Sequence, residues 1–134
     1  MKHICSAHVP SDLLAGKVVL VVEPQVLIAL LECSVARELG AKQALACATA
    51  RDGLALIENG MKPDVAIVDL GAEAATAGLI ARLDAAGVVL VITSAADPPE
   101  QADAPAFVRI TKPYLETELV KAIAAAVARR RPGA

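Results

Sequence analysis

The chain has 134 residues, a length that suits one domain with one buried core. Hydrophobic residues make up 56% of it and charged residues 21%, which excludes a disordered composition. The net charge of -2 argues against a general grip on nucleic acid, which needs a basic face to neutralise phosphates. The one basic run, Arg129, Arg130 and Arg131, falls where cations complement the dipole at the end of a helix.

The first 15 residues carry no periodic pattern and are expected to form a disordered tail. They lack the long apolar stretch of a secretory signal, and no apolar run in the chain approaches the roughly 18 residues of a membrane span. His3, Cys5 and His8 in this tail form an H-x-C-x-x-H cluster, which offers only three ligands in an unpatterned segment. Cys5, Cys33 and Cys47 show no C-x-x-C pairing; reduced thiols and a cytoplasmic location are the expectation.

From residue 16 two patterns alternate. Residues 17–22 form a β-branched, almost wholly apolar run, which predicts a buried strand. Residues 25–39 place Ile28, Leu31, Val35 and Leu39 on one helical face, and Gly40 ends the helix. A weaker strand follows at 43–47 and a helix at 50–59, stopped by Gly60. Residues 65–68 read as a buried strand after Pro63-Asp64. Residues 73–86 read as an Ala-rich helix that contains Gly78 and ends at Gly87. Strands are predicted at 88–92 and 107–110, and a closing helix at 115–130. Between the last two strands, Asp97-Pro98-Pro99-Glu100 and Pro105 predict a short or irregular helix.

Strands that are apolar throughout are buried on both faces, so the sheet should be parallel and covered by helices. Five β-α units in a chain this short predict a doubly wound α/β sheet of order 2-1-3-4-5, spanning residues 16–131 and leaving 132–134 as a tail. Ligands of such sheets bind at the carboxyl ends of the strands. Those ends carry Glu23, Asp69, Thr93 with Ser94, and Thr111-Lys112-Pro113. Two carboxylates, a hydroxyl and an ammonium suit phosphoryl chemistry. A carboxylate can take a phosphoryl group as an acyl phosphate, a divalent cation can offset its charge, and Lys and Thr can hold its oxygens.

Four stretches, Val19-Leu20-Val21-Val22-Glu23, Pro63-Asp64-Val65-Ala66-Ile67-Val68-Asp69-Leu70, Val91-Ile92-Thr93-Ser94 and Thr111-Lys112-Pro113, resemble the receiver domains of response regulators in order and spacing. The resemblance covers about residues 16–130, and finer features look most like the stand-alone receivers of alphaproteobacteria. It implies a flavodoxin-like (βα)5 fold and a two-component signalling domain rather than an enzyme, with at most self-phosphorylation and autodephosphorylation. It also implies Asp69 as phospho-acceptor, Thr93 as the switch hydroxyl and Lys112 as the phosphate-binding cation. A Mg²⁺ ion would be held by Glu23, Asp69 and the Gly71 backbone carbonyl. The implied partners are a histidine kinase or phosphotransfer protein and a downstream protein target, with no nucleic acid and no membrane. No output domain is expected after residue 131, and an aliphatic helix face offers a surface for a homodimer.

Three departures touch the switch. Pro24 stands where the family has a second acidic metal ligand, which weakens Mg²⁺ binding. Arg109 stands at the aromatic switch position, and prolines crowd the segment before it. Three functions remain open: a phosphoryl-accepting switch, a pseudo-receiver that binds its partner without phosphorylation, and a small-ligand binder on the same fold. Glu23 also admits a second reading, in which it pairs with Lys112 and holds the site shut without metal.

Overall fold

The computed structural model describes residues 9–71, 73–95 and 107–130. Five strands, β1 (Val18–Val22), β2 (Gln43–Cys47), β3 (Val65–Asp69), β4 (Val89–Ser94) and β5 (Val108–Thr111), form one parallel sheet in the order β2-β1-β3-β4-β5. The described helices are α1 (Val26–Glu38), α2 (Ala50–Glu58), α3 (Ala75–Ala85) and α4 (Glu116–Arg130). The expected fold class and strand order hold. The segment expected to carry a short helix, the His3-Cys5-His8 cluster and the tail 132–134 lie outside the described residues.

Side chains alternate across a strand, so each apolar strand feeds two cores. Val19, Val21, Ile67 and Val91 face one way, toward Val35 and Ala36 of α1, its C-cap Leu39, and Leu119 and Ile123 of α4. Leu20, Val22, Val68 and Ile92 face the other way, toward Ala50 of α2 and Leu79 and Leu83 of α3. With so few aromatics, close approach of backbones does part of the packing. A Cβ on Gly53 of α2 would stand 3.2 Å from Leu79 Cδ2 and 3.3 Å from Val22 Cγ2.

Three sequence expectations change. Residues 9–15, assigned to a disordered tail, pack on the domain: Val9 and Leu14 are buried in the α1–α4 core, and the Leu14 amide donates to the Leu39 carbonyl at 2.8 Å. That contact makes Gly40 obligatory on two grounds. Its φ is +98°, and a Cβ would meet the Ala15 backbone at 3.3 Å.

The buried stripe of α1 is also rotated from the expected one. It runs through Ala29, Glu32, Cys33 and Ala36, with Val35, and leaves Val26, Leu27 and Leu30 exposed. Ile28 and Leu31 are only half-buried. A helix that is apolar around most of its circumference does not announce its inner face, and here the small side chains Ala29, Cys33 and Ala36 approach the sheet.

Glu73, expected at the start of α3, lies before it. Its carboxylate accepts the amides of Ala50 and Arg51, while Thr49 Oγ1 accepts that of Asp52, so the first turn of α2 is capped twice.

Candidate functional site

The sheet register brings the strand ends together. Val22 is paired with Val68, and Asp69 with Thr93, so Glu23, Asp69 and Thr93 emerge from three adjacent strands on one edge. The ladder continues past the strands: the Glu23 amide donates to Cys47, Leu70 to Thr93 and Lys112 to Ser94. These bonds hold the backbone beneath each polar side chain.

Lys112 is the centre of the cluster. Its Nζ stands 2.7 Å from Glu23 Oε1 and 2.8 Å from Asp69 Oδ1. Thr93 Oγ1 donates to the same Asp69 oxygen at 3.4 Å. Glu23 is almost fully buried, and its other oxygen accepts the Gln25 amide at 2.9 Å. Burial by itself would lower the Lys112 pKa, but its hydrogen bonds to Asp69 and Glu23 outweigh that and raise it above the ordinary lysine value. The ammonium is therefore a permanent charge of the site.

Gly71 lies beside this cluster, with the place of its missing Cβ 3.5 Å from Asp69 Oδ2. Pro24 is exposed at the start of α1. Arg109 on β5 is paired with Ile92 on β4, its Nε is buried, and among the described residues that atom has no hydrogen-bond partner. No bond links Arg109 to Asp69, Thr93 or Lys112 among the described residues.

Mg²⁺ prefers six oxygens in near-octahedral geometry and keeps several as water. The edge supplies the Glu23 and Asp69 carboxylates and the Gly71 carbonyl, while Pro24 supplies no side-chain oxygen. Both carboxylates are already engaged by the Lys112 ammonium. Among the described residues no group of three or more His, Cys, Asp or Glu could hold a metal. A Mg²⁺ ion here would draw its remaining ligands from water and would have to displace the Lys112 ammonium from both carboxylates.

Two further residues at this edge were not singled out as site residues. Glu32 of α1 is wholly buried and accepts a short hydrogen bond from the Tyr114 hydroxyl. Tyr114 follows Lys112-Pro113, whose peptide bond is cis. The available signal was a lone carboxylate within an apolar helical run, together with the chain's single tyrosine two residues after Lys112.

No family model matches the sequence, and no curated protein is similar to it. Solved structures are similar. A response regulator receiver protein from Sinorhizobium medicae is 18% identical with a TM-score of 0.68, over 87% of this chain and 98% of that one. The receiver domain of the Francisella response regulator 1452 is 23% identical with a TM-score of 0.66, over 87% of this chain and 100% of that one. The receiver domain of the PhyR response regulator from Erythrobacter litoralis is 22% identical with a TM-score of 0.67, over 90% and 97%. The protein has the fold of response-regulator receiver domains. Among the described residues no helix is long and apolar enough to cross a membrane.

Proposed function

We propose that this chain is a receiver domain of a two-component phosphorelay, with Asp69 as the phosphoryl-accepting position. The observation that carries the reading is the convergence on Asp69 Oδ1 of the Lys112 ammonium and the Thr93 hydroxyl, at the carboxyl edge of the sheet. In the proposed step a carboxylate oxygen of Asp69 bonds to phosphorus as the bond from phosphorus to the donor breaks. The donor keeps that electron pair, and an acyl phosphate remains on Asp69. Lys112 and Thr93 then hold the phosphoryl oxygens.

The donor would be a histidine kinase or phosphotransfer protein, and the output would pass to a downstream protein target. Val26 and Leu27, 70% and 81% exposed in the first turn of α1, offer a protein partner an apolar surface.

A second reading has its own support. Lys112 spans Glu23 and Asp69, and Pro24 adds no ligand, so the site is closed by an internal cation. A protein of this kind would bind its partner without phosphotransfer.

Intact-mass analysis after incubation with acetyl phosphate, with and without Mg²⁺, separates the two. The first reading expects an adduct of one phosphoryl group that disappears in Asp69→Ala. Its absence from the wild type, with or without Mg²⁺, would leave the second reading.

A further inference from the structure

The Glu32–Tyr114 pair joins α1 to the segment after Lys112 and is not used by the proposed phosphoryl step. Glu32 Oε2 accepts the Tyr114 hydroxyl, while Oε1 is buried with no hydrogen-bond partner among the described residues. An ionised carboxylate with one dry oxygen is costly to bury, whereas a protonated carboxyl is much less so. Tyr114 is two residues from Lys112, so the chain runs from α1 through Glu32 and Tyr114 to the ammonium that spans Glu23 and Asp69.

From this geometry we infer that Glu32 is a proton-holding positioning residue, which tethers the Lys112 segment to α1 through Tyr114 and whose charge state is coupled to that of the Asp69–Lys112 pair. The groups that face it are Tyr114 and Lys112 after β5, Glu23 from β1, Asp69 from β3, and the Cys33 thiol on α1 itself. From α4 the same core receives apolar Leu119 and Ile123, while Lys121 is exposed.

Burial raises the Glu32 carboxyl to about 7. The Tyr114 hydrogen bond and Lys112 act against that shift, and Glu23 and Asp69 add to it. A phosphoryl group on Asp69, or withdrawal of the ammonium toward it, makes the surroundings of Glu32 more negative and favours proton uptake there. Linkage makes the effect reciprocal: loss of the Glu32 proton disfavours the phosphorylated site.

The functional consequence rests on the reading of Asp69 as acceptor, but the coupling itself is tested without phosphorylation. Tyr114 is the only tyrosine and the chain has no tryptophan, so tyrosine emission reports on this one hydroxyl. A phenol bonded to a carboxylate emits more weakly than one bonded to a neutral carboxyl.

Emission of the full chain, titrated from about pH 5 to about pH 9, is expected to show one step near neutrality that is absent in Glu32→Gln. Asp69→Asn should move the step to lower pH, and Lys112→Met to higher pH. Because the last two variants leave Glu32 in place, they keep the test informative if Glu32→Gln folds poorly. A flat wild-type titration, a step that persists in Glu32→Gln, or a step unmoved by both Asp69→Asn and Lys112→Met would overturn the inference.

The same pH range is then followed by acetyl phosphate labelling. The level of adduct reached at completion should fall several-fold in wild type between about pH 6 and about pH 8 and stay level in Glu32→Gln. Equal profiles would overturn the link to phosphorylation. Absence of any adduct would count against the acceptor reading and leave the emission result standing.

Discussion

Replacing Lys112 by methionine tests whether the ammonium holds the site together. Glu23 is 0% exposed at its side chain, Asp69 14% and Lys112 12%, so the triad is largely removed from water. Methionine keeps the length of the lysine stem but removes the charge. Glu23 Oε1 is then left buried without a partner, and the two carboxylates face each other without a cation. Removing one member of a buried ion pair costs about 3–5 kcal/mol, because the remaining charge is uncompensated. We expect a loss near the lower end, about 3 kcal/mol, since Asp69 keeps some contact with water.

With a urea slope of about 2 kcal/mol per molar, the unfolding midpoint at neutral pH should fall by roughly 1.5 M. Circular dichroism measures it directly. The same experiment with saturating Mg²⁺ carries a second expectation. With the ammonium gone, a divalent cation can enter between the carboxylates, and at about a hundredfold excess over its dissociation constant it restores about 2.7 kcal/mol. Wild type, whose carboxylates are already occupied by Lys112, should gain much less. A loss below about 1 kcal/mol would place the pair among screened surface interactions and refute the argument. So would an equal response of both proteins to Mg²⁺.

Three further outcomes follow from named residues. Glu32 binds its proton more tightly in the folded state, with its pKa raised from 4.5 to about 7, so its contribution to stability is fully present below 4.5 and is lost as pH rises through about 7. Relative to wild type, Glu32→Gln should therefore gain on the order of 3 kcal/mol between about pH 4 and about pH 8, read from urea midpoints across that range. Pro24→Asp adds a carboxylate at an exposed position, so Mg²⁺ should raise its melting temperature more than that of wild type; an identical response would show that the missing ligand does not limit the site. On α1, Val35→Ala should cost about 2 kcal/mol and Leu27→Ser less than about 0.5 kcal/mol, because the first side chain is 0% exposed and the second 81%. The opposite order would mean that the helix is rotated from the orientation described.

Much of the fold was legible because its signals are local. Val19–Val22, Val65–Val68 and Val89–Ile92 are apolar on both faces, a pattern that only a sheet covered on two sides can satisfy. Glycines at 40, 60 and 87 mark helix ends by positive φ. The polar residue after each apolar run then has to lie on one edge, which places Glu23, Asp69, Thr93 and Lys112 together from the sequence pattern alone.

Other features depend on what packs against what. Val26, Leu27, Leu30 and Leu31 made α1 apolar nearly all round, so only the sheet and α4 decided that Ala29, Cys33 and Ala36 face inward and that Glu32 goes with them. Val9 and Leu14 have no period to reveal them; they are buried in the α1–α4 core, where the Leu14 amide bonds the Leu39 carbonyl. The Lys112 contacts were equally beyond local pattern. That one ammonium reaches both Glu23 and Asp69 is set by the distance between β1, β3 and the turn after β5, which exists only once the sheet has formed. Sequence periodicity determined the layers and the edge on which the chemistry lies, because burial acts on each strand separately. Tertiary structure alone decided the pairing of charges, because that depends on distances between segments far apart in the chain.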